Sequence, residues 1–182
     1  MSTSGFRIEG AEVVHEGAVV TTEIVSLRTP EGGLVDRQVV RHPGAVAVVA
    51  VHGGMVVLVR QYRVALDTEL VEIPAGKLDI AGEAPAEAAR RELIEEVGLD
   101  PQNLVELGSF ATAAGFCDEE LTIFAATECT EVAREVDGIE EAHSQILRVP
   151  ADEALATAAA GGYPDAKTVI GLFWAHQRGL LG

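Results

Sequence analysis

The sequence predicts an α/β protein in which a mixed sheet lies between helices and a β-rich N-terminal arm precedes the main domain. Three observations favour this class: loosely alternating apolar residues near the N-terminus, one continuous apolar run, and a well-marked helix followed by further strands and helices. We expect the arm to cover residues 1–43 and the main domain to cover residues 44–182.

The arm is expected to contain three strands, Phe6–His15, Ala18–Leu27 and Leu34–Arg41, with a turn cluster at residues 29–33. An isolated group of short strands buries little apolar surface. We therefore expect the arm to pack on the main domain or on a second copy of the chain.

The main domain opens with Ala45–Val51, an unbroken apolar run typical of a strand buried on both faces. A glycine turn then leads into a returning strand, Met55–Tyr62. Between the later strands, the polar and acidic stretch Glu128–Glu141 is expected to be a mobile loop. The remaining expected elements are strands Leu104–Thr112, Leu121–Cys129 and Ser144–Val149 and helices Ala151–Ala160 and Ala166–Gln177.

One helix carries a cluster of carboxylates. It is expected over Pro85–Val97, because proline suits the first helical position and Gly98 suits the position after the last turn. Glu92, Glu95 and Glu96 then lie on neighbouring turns, where like charges cost roughly 0.2–0.5 kcal/mol per pair. A solvated acidic face is one interpretation. The other is a divalent cation, since hard cations prefer carboxylate oxygens.

Composition excludes several classes of function. The net charge of −16, from 13 basic and 29 acidic residues, argues against a nucleic-acid partner, whose phosphates require a basic surface. No apolar run reaches the roughly 18–20 residues of a membrane span, and the N-terminus lacks a signal-peptide pattern. Cys117 and Cys129 match no metal or disulfide spacing, so we expect two thiols in a reducing cytoplasm.

The stretch from Gly76 to Leu99 resembles the box of the Nudix hydrolases, G-x5-E-x7-R-E-U-x-E-E-x-G-U, where U is aliphatic. One difference is that six residues, not five, separate Gly76 from Glu83, in a loop where an insertion costs little. The resemblance implies the Nudix α/β/α sandwich. The positions in register are Glu83, Arg91, Glu92, Leu93, Glu95, Glu96, Gly98 and Leu99.

Two further stretches resemble the ADP-ribose pyrophosphatase branch of that family. One is the triplet Gln61-Tyr62-Arg63, in which the resemblance makes Arg63 a ligand of substrate phosphate. From the residues alone, Arg60 and Arg63 could form a solvated strand edge or could equally bind a diphosphate, because guanidinium groups match phosphate oxygens. Arg60 is therefore a second candidate for substrate binding. The other is the E-x-P-A-G form, which places Glu72 at the substrate site and makes the Ala75 carbonyl a metal ligand.

A third resemblance concerns the loop Ala113–Glu120, which is similar to the branch's selectivity loop S-P-G-F-x-D-E. Ala114 stands where the branch usually has proline, which weakens the substrate assignment. Phe116 could form a base-stacking surface, but packing is favoured because buried aromatic residues are commoner. A family glutamate before the last strand often serves in catalysis, and Glu140 and Glu141 are both candidates; solvated charge is the alternative for each.

The resemblance implies hydrolysis of the ADP-ribose diphosphate to AMP and ribose 5-phosphate. Mg²⁺ or Mn²⁺ would bind Glu92, Glu95, Glu96 and the Ala75 carbonyl, and Arg91 would hold a glutamate in place. Glu95 becomes the candidate base if neither loop glutamate serves. The alternatives are a nucleotide-sugar pyrophosphatase acting on GDP-mannose or a UDP-sugar, and a non-catalytic Nudix-like ligand sensor. Relatives in this branch exchange arms within homodimers, so we expect a homodimer.

Overall fold

The computed structural model describes residues 4–136 and 139–181, without the side chains of Glu140 and Glu141. The described residues form two compact units. The first comprises residues 4–44 and Phe110–Leu121, and the second comprises Ala45–Ser109 and the described part of residues 122–181. The division into an arm of residues 1–43 and a domain of residues 44–182 stays a prediction.

The first unit contains three antiparallel strands in the order β1 (Arg7–Glu16), β2 (Thr21–Arg28) and β3 (Leu34–Arg41). All three arm strands were predicted, with small differences at their ends. Every residue of β1 is exposed, whereas Val25 in the middle strand is buried. This sheet has little core of its own, as the alternating sequence indicated.

The second unit is built on a seven-stranded mixed sheet. The remaining strands are β4 (Ala45–His52), β5 (Met55–Arg63), β6 (Thr68–Glu72), β7 (Ala75–Lys77), β8 (Leu99–Pro101), β9 (Leu104–Ala111), β10 (Glu120–Ala126), β11 (Cys129–Glu131) and β12 (Gln145–Pro150). Five strands of the large sheet follow the order β12-β5-β4-β10-β9, while β6 pairs with β5 and β7 pairs with β4. A separate small ribbon joins β8 and β11.

Helices cover both faces of this sheet. They are α1 (Pro85–Val97), α2 (Ile139–Ala142), α3 (Ala151–Ala159) and α4 (Ala166–Gln177). On one face, Val46 and Val48 of β4 join Leu93 of α1 in a buried core cluster. On the other face, α4 packs so closely that a Cβ added at Gly171 would lie 2.9 Å from Val49 Cγ2. Because alternate residues of a strand point to opposite faces, β4 is buried on both sides, and the predicted sandwich is confirmed.

Several short elements were not predicted. The expected single strand Leu121–Cys129 is wrong: β10 ends at Ala126, and Cys129 begins a separate strand that pairs with β8. The expected loop Glu128–Glu141 contains that strand and also α2. Strands of three residues are too short for a periodicity signal and are decided by their partners. Within residues 4–136 and 139–181, no helix has the length and apolar character needed to span a membrane.

Candidate active site

Local signals at both ends of α1 fix the carboxylate helix. The Ala84 N–H donates to Glu87 Oε2 at 3.0 Å, which satisfies one of the free donors of the first turn. At the other end, Gly98 adopts the left-handed conformation with φ of 67°, and its N–H donates to the Ile94 carbonyl at 3.0 Å. The helix therefore begins and ends as predicted, and the spacing of its glutamates is retained.

These glutamates line a cavity of about 670 Å³, which we call the box cavity. Its wall combines the box residues of α1 and β7 with the end of β5. Arg63, predicted as a phosphate ligand, therefore lies on the same cavity as the predicted metal ligands. The residues lining it are Gln61, Tyr62, Arg63, Val64, Ala75, Gly76, Lys77, Asp79, Ile80, Arg91, Glu92, Glu95 and Glu96.

Arg91 is the centre of the first charge cluster in the second unit. Its Nε and Nη2 each donate to a Glu83 oxygen at 3.0 Å. Its Nη1 donates to Glu92 Oε1 at 2.7 Å and to Glu95 Oε2 at 3.0 Å. Hydrogen bonding to Glu83 is the largest of the effects that raise the pKa of Arg91. One guanidinium thus serves three carboxylates, and the cluster keeps an excess of negative charge.

Close backbone contacts position two of the box glutamates. A Cβ added at Gly76 would lie 1.8 Å from Glu92 Cδ, so the absence of a side chain there makes room for the Glu92 carboxylate. Gly76 is thus required by a close approach rather than by an unusual backbone angle. The Ala75 N–H donates to Glu96 Oε2 at 2.9 Å. Both contacts hold the strand β7 against the acidic face of α1.

The box cavity has the chemistry of a site for a hard cation, although the ligands are not preassembled. Among the described residues, no group of three or more His, Cys, Asp or Glu side chains is arranged to hold a metal. Arg91 instead lies among these carboxylates. The donor set nevertheless fits, because Glu92, Glu95 and Glu96 line one cavity with more negative charge than Arg91 neutralises.

Glu72 is the centre of a second charge cluster in the same unit. Its side chain is only 1% exposed and accepts two hydrogen bonds from Arg63, at 2.7 Å from Nε and 2.6 Å from Nη2. The Lys167 ammonium of α4 also donates to Glu72 and, at 3.0 Å, to Asp165 Oδ1. A buried carboxylate requires such compensation, and here two cations supply it.

The two cations decide the charge state of Glu72. Burial opposes its ionisation, but hydrogen bonds and charges from Arg63 and Lys167 outweigh burial, so the pKa of Glu72 lies below its ordinary value. Hydrogen bonding to Glu72 raises the pKa of Arg63, and the charges of Glu96 and Asp165 add to this effect. Glu96 belongs to the box, so the second charge cluster interacts electrostatically with the acidic face of α1.

The structure separates the remaining predicted residues. Arg60 is not among the residues lining the box cavity, and its Nη1 lies 3.4 Å from Gln145 Oε1. Residues three apart on a strand point to opposite faces, so Arg60 and Arg63 cannot lie side by side, and the tertiary structure decides which of them reaches the cavity. Glu72 lies beneath Arg63 rather than on the cavity wall. Phe116 is 60% exposed, so it is not packed within the described part of this chain, and its base-stacking role stays a prediction.

The candidate bases Glu140 and Glu141 lie on α2, and their side chains are outside the described residues. The chain before and after this helix is anchored by Arg134. Its Nε donates to the Glu95 carbonyl at 3.2 Å, and its Nη2 donates to Ser144 Oγ at 2.7 Å. The helix itself contacts β5, the strand that ends at Arg63. The backbone of the candidate bases is therefore tied to elements that form the box cavity.

Sequence reasoning missed one residue of the second cluster, Lys167. It lies two residues after Asp165, the N-cap of α4, whose Oδ2 accepts from the Thr168 N–H at 2.9 Å. No local pattern pairs a lysine with a glutamate 95 residues away. The only available signal was a lysine in the first turn of a helix, where a positive charge is unfavourable without a partner.

Comparisons with known proteins identify the family of this chain. The NUDIX domain family matches residues 40–170. The chain is 38% identical to the ADP-ribose pyrophosphatase of Mycobacterium tuberculosis, over 97% of this chain and 86% of that protein. It is 37% identical to the ADP-ribose pyrophosphatase of Bacillus subtilis, over 88% and 87% of the two chains. A solved structure described as an ADP compounds hydrolase superposes with a TM-score of 0.82 at 26% identity, covering 97% of this chain and 95% of that one. The resemblance found in the sequence is confirmed, and the chain belongs to the Nudix hydrolase family.

Proposed function

We propose that this enzyme hydrolyses the diphosphate of ADP-ribose, giving AMP and ribose 5-phosphate with consumption of one water. One observation carries the proposal: Arg63 and the acidic face of α1 line a single cavity. Such a cavity pairs a phosphate-binding guanidinium with carboxylates suited to a hard cation. The names of the relatives from Mycobacterium tuberculosis and Bacillus subtilis support ADP-ribose as the substrate.

In this proposal Glu92, Glu95, Glu96 and the Ala75 carbonyl hold Mg²⁺ or Mn²⁺. A divalent cation supplies Lewis-acid chemistry there, since it neutralises the diphosphate and activates water. Arg63 binds and orients the phosphates with guanidinium donors that Glu72 does not use. Arg91 spaces the carboxylates and limits their mutual repulsion.

The general base belongs to the proposal as well. A carboxylate that holds a cation is a poor proton acceptor, so a base outside that set is chemically preferable. Glu140 and Glu141 supply candidates, and Glu95 is the third. One of Glu140→Gln and Glu141→Gln should lower kcat strongly while KM and metal affinity stay near normal. If both variants keep wild-type kcat across the pH range, the base lies elsewhere and Glu95 becomes the leading candidate.

Phosphate release from ADP-ribose tests the activity. The products are treated with a phosphatase, because AMP and ribose 5-phosphate release phosphate only after cleavage of the diphosphate. Activity with Mg²⁺ that disappears in EDTA is the expected result. Equal or better turnover of GDP-mannose or UDP-glucose would replace ADP-ribose with a nucleotide sugar, and no turnover of any of them would favour a ligand sensor.

The proposed assembly is a homodimer. The arm sheet exposes apolar side chains, including Ile8 at 68% and Leu34 at 61%. An exposed apolar surface of this kind is typical of an interface. A dimeric mass by light scattering at micromolar concentration is expected, together with loss of activity when residues 1–41 are deleted. A monomeric, active enzyme would contradict this part of the proposal.

A further inference from the structure

We propose that Lys167 is a positioning residue that keeps Arg63 available to the substrate diphosphate by sharing the charge of Glu72. This inference rests on the proposed function, since it requires Arg63 to bind phosphate. It assigns a role to a residue on α4 that lies outside both the box and the cavity wall.

The first step concerns the competition for Arg63. Its Nε and one Nη2 donor are committed to Glu72, at 2.7 and 2.6 Å. A phosphate in the box cavity must therefore use the remaining donors or compete with Glu72. The stronger the hold of Glu72 on Arg63, the weaker the contact that Arg63 makes with substrate.

The second step is the role of the ammonium group. Glu72 is 1% exposed, so its charge must be compensated by neighbours rather than by water. Lys167 is only 13% exposed and contacts Glu72 from α4. Lys167 therefore supplies part of the positive charge that compensates Glu72, without facing the box cavity. As a consequence, Glu72 holds the Arg63 guanidinium less strongly.

The third step is the charge of the whole cluster. The two positive charges of Arg63 and Lys167 balance the two negative charges of Glu72 and Asp165. The Asp165 carboxylate contacts the Lys167 ammonium at 3.0 Å. Without the lysine, the cluster carries one net negative charge beside a site for a diphosphate. The electrostatic field at the cavity then opposes the substrate, and Arg63 turns further toward the uncompensated Glu72.

The test compares Lys167→Met, Lys167→Arg, Arg63→Met and the double variant Lys167→Met/Arg63→Met. Each is checked by circular dichroism, then measured for kcat, for KM and, in EDTA without turnover, for the Kd of ADP-ribose. Lys167→Met should raise KM and that Kd about tenfold, with kcat within about threefold of wild type. Lys167→Arg should restore most of the affinity, because it keeps the charge.

The double variant isolates the mechanism. If Lys167 acts through Arg63, Lys167→Met should raise KM and Kd very little in a protein that already carries Arg63→Met. Arg90→Met is the matched control: it removes a cation from the Arg90–Asp100 ion pair in the same unit and should leave KM unchanged. If Lys167→Met does not fold, Lys167→Gln takes its place, since it removes the charge but keeps a hydrogen-bond donor.

Two results overturn the proposal: an unchanged KM and Kd in a folded variant that removes the Lys167 charge (Lys167→Met or Lys167→Gln), or an equal increase of KM and Kd in the presence and absence of Arg63. Failure of the proposed function looks different. Wild-type enzyme that neither binds nor cleaves ADP-ribose overturns both, whereas binding and cleavage that are insensitive to Lys167 overturn only the positioning role.

Discussion

The two charge clusters of the second unit combine cations and carboxylates in different proportions. Around Arg91, one guanidinium serves three carboxylates, and the side chains are 11–25% exposed. Around Glu72, one fully buried carboxylate is shared by two cations. An acidic excess at a cavity wall favours a cation, whereas a balanced buried cluster holds its arginine in place. Together they suit the proposed binding of a cation and a diphosphate in one cavity.

The largest effect is expected from Glu96→Gln, which removes one negative charge from the box cavity beside the Arg91 cluster. The amide oxygen still accepts from the Ala75 N–H, so the fold should persist. The charge for the cation is lost, and turnover of ADP-ribose should fall by several orders of magnitude. Glu87→Gln on the same helix, away from the box cavity, is the control. Near-normal turnover of Glu96→Gln would mean that the acidic excess has no role in catalysis.

A smaller effect, a loss of metal affinity, is expected from Gly76→Ala. This variant disturbs the Arg91 cluster only by adding a methyl group, without changing any charge. The new Cβ would lie 1.8 Å from Glu92 Cδ, so the carboxylate must move. Metal affinity, measured by calorimetry with Mg²⁺, should fall about 10–100-fold, as for other changes in ligand positioning. Gly10→Ala provides the matched control, since its Cβ would meet nothing within 4 Å. Unchanged affinity would show that Glu92 does not hold the cation.

Arg91→Met tests whether the acidic excess is a cost to stability. Loss of the guanidinium leaves Glu83, Glu92 and Glu95 repelling one another. The Tm of the variant in EDTA should therefore be about 3–6 °C lower than that of the wild type. Mg²⁺ should raise the Tm of this variant more than that of the wild type, because the cation then provides the missing compensation. Arg90→Met should behave like the wild type in both buffers. An equal Mg²⁺ effect in Arg91→Met and wild type would contradict this account.

The smallest expected effect is a pH dependence of stability that arises from the buried cluster around Glu72. The pKa of Glu72 lies below its ordinary value of 4.5, because Arg63 and Lys167 outweigh burial. A lowered pKa means that the ionised group stabilises the fold above pH 4.5, and that this contribution is lost as the pH falls through the folded-state value. In urea, the stability difference between wild type and Glu72→Gln should therefore be largest near neutral pH and shrink on acidification. A difference that is constant with pH would rule out this charge-based role, and Glu106→Gln, at an exposed site, is the control.

Local signals explain which elements were predicted well. Proline and glycine mark the ends of α1, and Asp165 caps α4, so the predicted bounds Pro85–Val97 and Ala166–Gln177 are those observed. The glutamate spacing likewise follows from the helix alone. By contrast, β7, β8 and β11 have three residues each and exist only because a partner strand lies beside them.

The sequence by itself determined the family, the acidic helix and the chemistry that such carboxylates favour, because these depend on residues close together in the chain. Only the tertiary structure decided that Arg63 faces the box cavity while Arg60 does not, and that Gly76 makes room for Glu92. It also decided that Glu72 and Lys167 meet, although they are 95 residues apart. The physical reason is that burial and long-range charge pairing depend on which surfaces pack together, and local periodicity carries no information about distant partners.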